Sequence, residues 1–304
     1  MPFATQILQT ENIETLLDIP IIINKIAATG IGLATCCGLE LALLDAFGKE
    51  KNINILKTIG KPKRALHYSG VIPLMSNQKL EKMLPLLQSL SFKNLKLKVG
   101  RNIKESMEQI KLIRAAFPTD TAIRVDANCS WTLADARVQI PQFLQAGIHS
   151  FEQLFPKEAI INLQKVTQLF NKDANIMVDE SVTSIDSAKH LIKHQICNHF
   201  NLKISKHGGI FNTLSIYNLA QKHGIKCQLG AHFGETSILT MAGLIVASQA
   251  PNLTAIEGAF GTRLLQKDIC PSVSFDAQAK IDDWDTLTAL SGWGLNISPK
   301  MALS

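Results

Sequence analysis

From about residue 64 the chain repeats one unit, a short β-prone run that ends at or near a polar residue and gives way to a helical stretch. The runs are Ala65–Gly70, Asn94–Lys98, Ala122–Asp126, Ile148–Glu152, Asn175–Asp179, His199–Lys203, Ile225–Leu229 and Leu253–Glu257. Counted from Lys98 through Asp126, Glu152, Asp179, Lys203, Gly230 and Glu257, the steps are 28, 26, 27, 24, 27 and 27 residues. So regular a spacing leaves few folds open.

The segments between the runs have helical period. Ile103, Met107, Ile110 and Ile113 recur at i, i+3/i+4 spacing, Thr132 caps an apolar-periodic run to Ala146, and Thr236–Ala250 is apolar nearly all round. Strands joined by helical crossovers of this length pair in parallel. Eight such units predict an α/β fold of the TIM type, a (β/α)7β barrel over residues 63–270. An open doubly wound sheet is the other architecture the period allows, but no GxGxxG follows any strand, which weakens a dinucleotide-binding reading. Residues 1–62 read as two or three helices of a partial cap, the clearest being Gly38–Gly48 with Leu39, Leu43 and Phe47 on one face. Residues 271–304 read as an irregular return over barrel or cap.

Composition narrows the class further. At 46% apolar and 18% charged residues, the 304-residue chain has ample core material and is not disordered. A net charge of +6 with no basic run longer than Lys61-Pro62-Lys63-Arg64 gives no nucleic-acid footprint. The apolar stretch Ile19–Leu44 is broken by Asn24, Lys25 and Glu40, so it reads as buried globular structure and no membrane partner is expected. Six cysteines without a CxxC pair, and a start without a signal-peptide pattern, predict reduced thiols and a cytoplasmic location.

In a barrel the reactive groups gather where the strands end. This chain places Lys96 and Lys98 on the second strand, Asp126 on the third, Glu152 on the fourth, Asp179 and Glu180 on the fifth and Lys203 on the sixth. Three carboxylates brought together on consecutive strands repel one another unless a cation lies between them. All-oxygen ligation suits a hard ion, Mg²⁺ or Mn²⁺. His190 and His194, spaced i, i+4 but with no HExxH frame, read as a partly exposed helix face.

Residues i and i+2 of a strand share a face, so Lys96 and Lys98 point together, and two adjacent ammonium groups lower a pKa. Strands two and six stand opposite in an eight-stranded barrel, which puts Lys98 and Lys203 on either side of a substrate held at the carboxylates. Such a two-base site suits removal of an α-proton from a small carboxylate, giving a metal-bound enolate, with return of a proton to the other face.

The stretches Leu95-Lys96-Leu97-Lys98-Val99-Gly100, Arg124-Val125-Asp126-Ala127-Asn128, Phe151-Glu152-Gln153, Val178-Asp179-Glu180-Ser181 and Asn201-Leu202-Lys203-Ile204-Ser205-Lys206-His207-Gly208-Gly209 resemble the enolase superfamily, muconate-lactonizing subgroup. The resemblance implies Asp126, Glu152 and Asp179 as Mg²⁺ ligands, Lys98 and Lys203 as acid/base lysines, and Lys96 as a contact to the substrate carboxylate. It implies supporting roles for Asn128, Glu180 and Lys206, with Glu235 and Glu257 placed to meet substrate. The subgroup holds cycloisomerases, o-succinylbenzoate synthases, N-acylamino acid racemases and dipeptide epimerases. Two departures stand out. Resembling dipeptide epimerases carry Asp-x-Asp at the eighth strand, where this chain has Ala255-Ile256-Glu257, and the chain starts inside the cap, without the strands that bear the family's lid.

A racemase, epimerase or cycloisomerase is therefore expected. A dehydrating lyase of the o-succinylbenzoate synthase type, or a degenerate metal-binding barrel without turnover, are the alternatives. Self-association into a homo-oligomer is compatible with either enzyme reading.

Overall fold

The computed structural model describes residues 2–61 and 64–297. Eight parallel strands follow one another in sequence order: β1 Gly70–Ile72, β2 Asn94–Lys98, β3 Ala122–Asp126, β4 Ser150–Glu152, β5 Asn175–Val178, β6 His199–Leu202, β7 Lys226–Leu229 and β8 Leu253–Ile256. The two edges meet where the Ser69 N–H donates to the Ile256 carbonyl at 2.7 Å. The sheet is thus curled into a barrel. Seven helical crossovers of nine or more residues separate the strands, which is the expected (β/α)7β order.

The first β-prone run divides in a way the sequence does not announce. Leu66–His67 leaves the barrel and pairs antiparallel with Lys280–Ile281, and β1 begins only at Gly70. The C-terminal return, which supplies the partner strand, decides this. It also lays Phe275 against Tyr68, Phe92 and Phe260, with ring centroids 5.7, 5.6 and 4.9 Å away.

Local chemistry explains the element borders nearest the site. Thr132 accepts from the Asp135 N–H while Asp135 reaches back to the Thr132 N–H, a capping box that starts the helix Leu133–Gln145. Ser184 and Ser187 form the same reciprocal cap for Ile185–Lys193. His190 and His194 lie exposed at the end of that helix, their rings 4.6 Å apart. Along β2, Leu95 and Leu97 are buried against the surrounding helices, while Lys96 and Lys98 take the alternate positions.

The N-terminal segment forms four helices, Pro2–Thr10, Asp18–Ala27, Leu33–Glu50 and Ile55–Ile59, rather than two or three. The third starts five residues before the expected Gly38, and its buried residues are Cys36, Cys37, Glu40, Leu41, Leu44, Phe47 and Gly48; Leu39 and Leu43 are only half-buried. Trp293 of the return donates its indole N–H to the Leu41 carbonyl at 2.8 Å, and Asn54 binds the Leu290 carbonyl at 2.6 Å, so the return ties the cap helices down. The expected cap–barrel border at 62/63 and the last residues of the return, 298–304, fall outside the described residues. All six cysteines are free thiols. Among the described residues no helix is long and apolar enough to cross a membrane.

Candidate active site

The register of the strands places the carboxylates. Asp126 and Glu152 end β3 and β4 as direct neighbours, and Glu152 is paired with Met177, two residues before Asp179 at the end of β5. All three are buried. Glu152 accepts from Asn201 Nδ2 at 2.7 Å and from Gln228 Nε2 at 3.3 Å. Asp126 Oδ1 takes the Asn128 backbone N–H at 2.9 Å, made available by the left-handed φ of 41° at Asn128. The Asn128 side chain itself is exposed, so its support comes through the backbone. Asp179 is fixed from behind, its N–H donating to Gln153 Oε1 at 2.7 Å.

Lysines stand between these acids. Lys96 Nζ lies 2.9 Å from Glu257 Oε2, 3.4 Å from Glu152 and 3.7 Å from Asp126. Lys98 Nζ reaches Asp126 Oδ2 at 4.0 Å and is about a third exposed, with a side-chain accessibility of 35%. Lys203 donates to Asp179 Oδ2 and Lys206 to Asp179 Oδ1, both at 2.6 Å. Lys206 also donates to the Asn201 carbonyl at 3.0 Å, so its ammonium is used up in holding two strand ends together.

The electrostatics follow from this packing. Burial pushes the Glu152 carboxyl up to about 8, against the pull of Lys96, and Asp126 is raised for the same reason. Burial would also raise Asp179, but Lys206 and Lys203 outweigh it and hold that carboxyl well below the usual range. Burial pulls Lys96 down, and Glu152, Glu257 and Asp126 more than reverse it, so Lys96 is held in its ammonium form. The expected mutual lowering of adjacent lysines therefore does not operate at Lys96, because acids surround it. Asp179 likewise holds Lys203 above its ordinary value against burial, while Lys206 is lowered by burial.

Among the described residues no three His, Cys, Asp or Glu side chains close into a ready cation cage. The donor set nevertheless fits a hard divalent ion. It is all oxygen, it lies on adjacent strand ends, and two of its members are desolvated carboxylates whose crowding an added positive charge would relieve.

Glu257 faces inward, with Lys96 on one oxygen and Arg124 Nη2 on the other at 2.5 Å. Burial would raise it, but Lys96 and Arg124 hold it down at about 2. Glu235 accepts the His232 N–H at 2.7 Å and is pushed up to about 7 by burial. It lines a small cavity with Tyr68, Leu229 and Glu257. Glu180 is half-buried, with Oε2 lacking a hydrogen-bond partner, and burial followed by the neighbouring Asp179 raises its carboxyl.

Sequence reasoning missed Arg124, Asn201, Gln228 and Gln153. The signal was present for two of them, since Arg124 and Asn201 lie two residues before Asp126 and Lys203 and so share their strand face. Gly230 confirms how tight this layer is, because a Cβ there would lie 2.2 Å from Asn201 Oδ1.

The model of the enolase C-terminal domain-like family matches residues 80–301. The L-Ala-D/L-Glu epimerase of Clostridium acetobutylicum is 28% identical over 222 residues, 72% of this chain and 62% of that enzyme. A chloromuconate cycloisomerase from a Pseudomonas species is 28% identical over 256 residues, 80% of this chain and 67% of its own length. The dipeptide epimerase of Enterococcus faecalis, solved with Mg and the dipeptide L-Leu-L-Tyr, superposes with a TM-score of 0.83 at 25% identity, covering 96% of this chain and 81% of that one. The chain thus spans under two thirds of the Clostridium enzyme. With the match covering most of its length, the chain belongs to the enolase C-terminal domain-like family, in the branch of the muconate-lactonizing enzymes and dipeptide epimerases.

Proposed function

We propose that this chain is an isomerase, a racemase, epimerase or cycloisomerase, that takes the α-proton from a small carboxylate with Lys98 and Lys203 as its acid/base pair. One observation carries the reading. Lys98 stands beside Asp126 at one end of the carboxylate arc and Lys203 beside Asp179 at the other, on strands that lie opposite in the barrel. A substrate lying along that arc has one lysine side chain on each face. As the α-proton leaves, negative charge spreads to the substrate carboxylate. Asp126, Glu152 and Asp179 would hold Mg²⁺ or Mn²⁺, which when bound supplies positive charge against that build-up.

This chain's own residues do the rest. The lysine that accepts the proton must enter as the neutral amine, while the other, as ammonium, delivers a proton to the opposite face. In a racemase or epimerase the configuration at the carbon then inverts. Lys96, kept cationic by Glu152 and Glu257, gives the inner end of the site a fixed positive charge suited to a carboxylate. Glu257 has both oxygens committed to Lys96 and Arg124 and is poorly placed to receive a substrate ammonium. That favours acids with a blocked or absent α-amino group, such as N-acylamino acids, over free dipeptides.

The test is α-proton exchange in D₂O, read by NMR on the Mg²⁺-loaded protein with N-acylamino acids, dipeptides, and lactone- and succinylbenzoate-type acids. Deuterium uptake without loss of water is expected. Absence of uptake across the whole panel overturns the proposal.

A further inference from the structure

We propose that Glu40, on the cap helix Leu33–Glu50, is a positioning residue for Lys203 and Lys206: its buried carboxylate clamps the glycine turn that ends the segment carrying both lysines. The inference rests on the reading of Lys203 as an acid/base group.

The helix Ile210–Lys222 begins at Gly209, which has no side chain to cap it. The cap comes instead from 170 positions away, where Glu40 Oε1 accepts the Ile210 N–H, with the Phe211 N–H also directed at the carboxylate. A carboxylate that is 1% exposed is a costly way to cap a helix, and among the described residues no Lys, Arg or His pairs with it. A serine or aspartate in the N-cap position commonly caps a helix locally, but the φ of 132° at Gly209 excludes a side chain there. What Glu40 adds is a link between two distant parts of the chain.

The turn is shaped to receive it. Gly209 has φ 132°, and a Cβ there would sit 2.2 Å from Glu40 Oε1. Gly208 has φ 84°, and its Cβ would lie 3.1 Å from Leu33 Cδ2. Leu33 and Glu40 stand two turns apart on one face of the cap helix, so the two glycines seat that face directly.

From the glycines the constraint runs back through hydrogen bonds to the lysines. The Gly209 N–H donates to the Ile204 carbonyl at 3.0 Å, and the His207 N–H to the Lys203 carbonyl at 3.1 Å. The segment from Lys203 to Gly209 is therefore one hydrogen-bonded unit, anchored at its far end by Glu40. Lys98, on β2, lies outside it. Asp179 has its own anchor in Gln153.

Two measurements on the full chain test this. The first needs no substrate: reductive methylation with formaldehyde and cyanoborohydride, followed by peptide mapping, reads the reactivity of each lysine. In Glu40→Ala, Lys203 and Lys206 are expected to react several-fold faster than in the unaltered protein, with Lys98 unchanged as the internal reference, and Glu40→Gln should restore most of the protection. The second is α-proton exchange from each of two epimers, with Lys203→Ala and Lys98→Ala used to assign which lysine serves which epimer. Glu40→Ala should slow the Lys203-dependent exchange by about tenfold, since a small misplacement of a reacting group costs up to about 10²-fold, and leave the Lys98-dependent exchange largely intact. Unchanged reactivity of Lys203 and Lys206, or an equal loss of both exchange reactions, overturns the proposal. Exchange from neither epimer in the unaltered protein defeats the reading of the lysines as acid/base groups, and the methylation pattern still decides whether Glu40 positions them.

Discussion

Lys96 Nζ and Glu257 Oε2 lie 2.9 Å apart inside the barrel, and Arg124 closes on the other oxygen of the same carboxylate. Removing Glu257 leaves the buried Arg124 without its carboxylate, while Lys96 keeps Glu152 and Asp126. Loss of one partner from a buried pair costs about 3–5 kcal/mol. Glu257→Gln is therefore expected to lower stability by an amount of that order in urea unfolding. The double variant Arg124→Met, Glu257→Gln should recover part of it, because the cation left without a partner is gone. A single variant as stable as the unaltered protein would show that the pair contributes nothing.

Lys98 and Lys203 make separable contributions if each serves one face of the substrate. Lys203→Ala is expected to remove deuterium uptake from one epimer and spare the other, and Lys98→Ala to do the reverse. Each loss should be about 10²–10⁴-fold, the range for a positioned acid or base. Stereospecific exchange measured on both epimers decides it. Equal loss from both epimers in either variant contradicts a two-base site.

The carboxylate arc predicts a stability effect independent of turnover. A ligand that binds only the folded chain stabilises it by RT ln(1 + [L]/Kd), about 2.7 kcal/mol at a hundredfold excess over Kd. Mg²⁺ should raise the unfolding midpoint of the chelator-treated protein, and Glu152→Gln should abolish the rise. A midpoint that ignores Mg²⁺, or a shift that survives Glu152→Gln, argues against cation binding at the three acids.

Much of this architecture was legible because one rule, polar groups at the ends of period-27 strands, speaks through local sequence. Asp126, Glu152, Asp179 and Lys203 all lie at or one residue past a strand end, where that rule puts them. The inner polar layer was harder to see. Gln228 and Gln153 acquire meaning only when the fold sets them against Glu152 and the Asp179 N–H. The first strand begins later than expected because Ala65–Gly70 reads as one β-prone run, and only the distant Lys280–Ile281 splits it. Glu40 looked like an interruption in an apolar stretch. Its role depends on a contact across most of the chain, which no local pattern encodes.

That contact also makes stability depend on pH in a calculable direction. Burial raises the folded-state Glu40 to about 7, from 4.5 when exposed, and the Cys37 thiol on the same helix stays protonated, pushed up to about 12. The folded chain therefore binds the Glu40 proton more tightly than the unfolded chain. Stability is greatest below the unfolded value and falls as pH rises through about 7, with a ceiling near 3 kcal/mol, about 1.4 kcal/mol for each pH unit between the two values. A glutamine at this position keeps an acceptor for the Ile210 N–H and carries no charge to bury. The gain of Glu40→Gln over the unaltered protein should accordingly be small near pH 5 and grow toward pH 8. Urea midpoints across that range measure it, and parallel curves for the two proteins would mean that Glu40 ionises in the fold as freely as in the open chain.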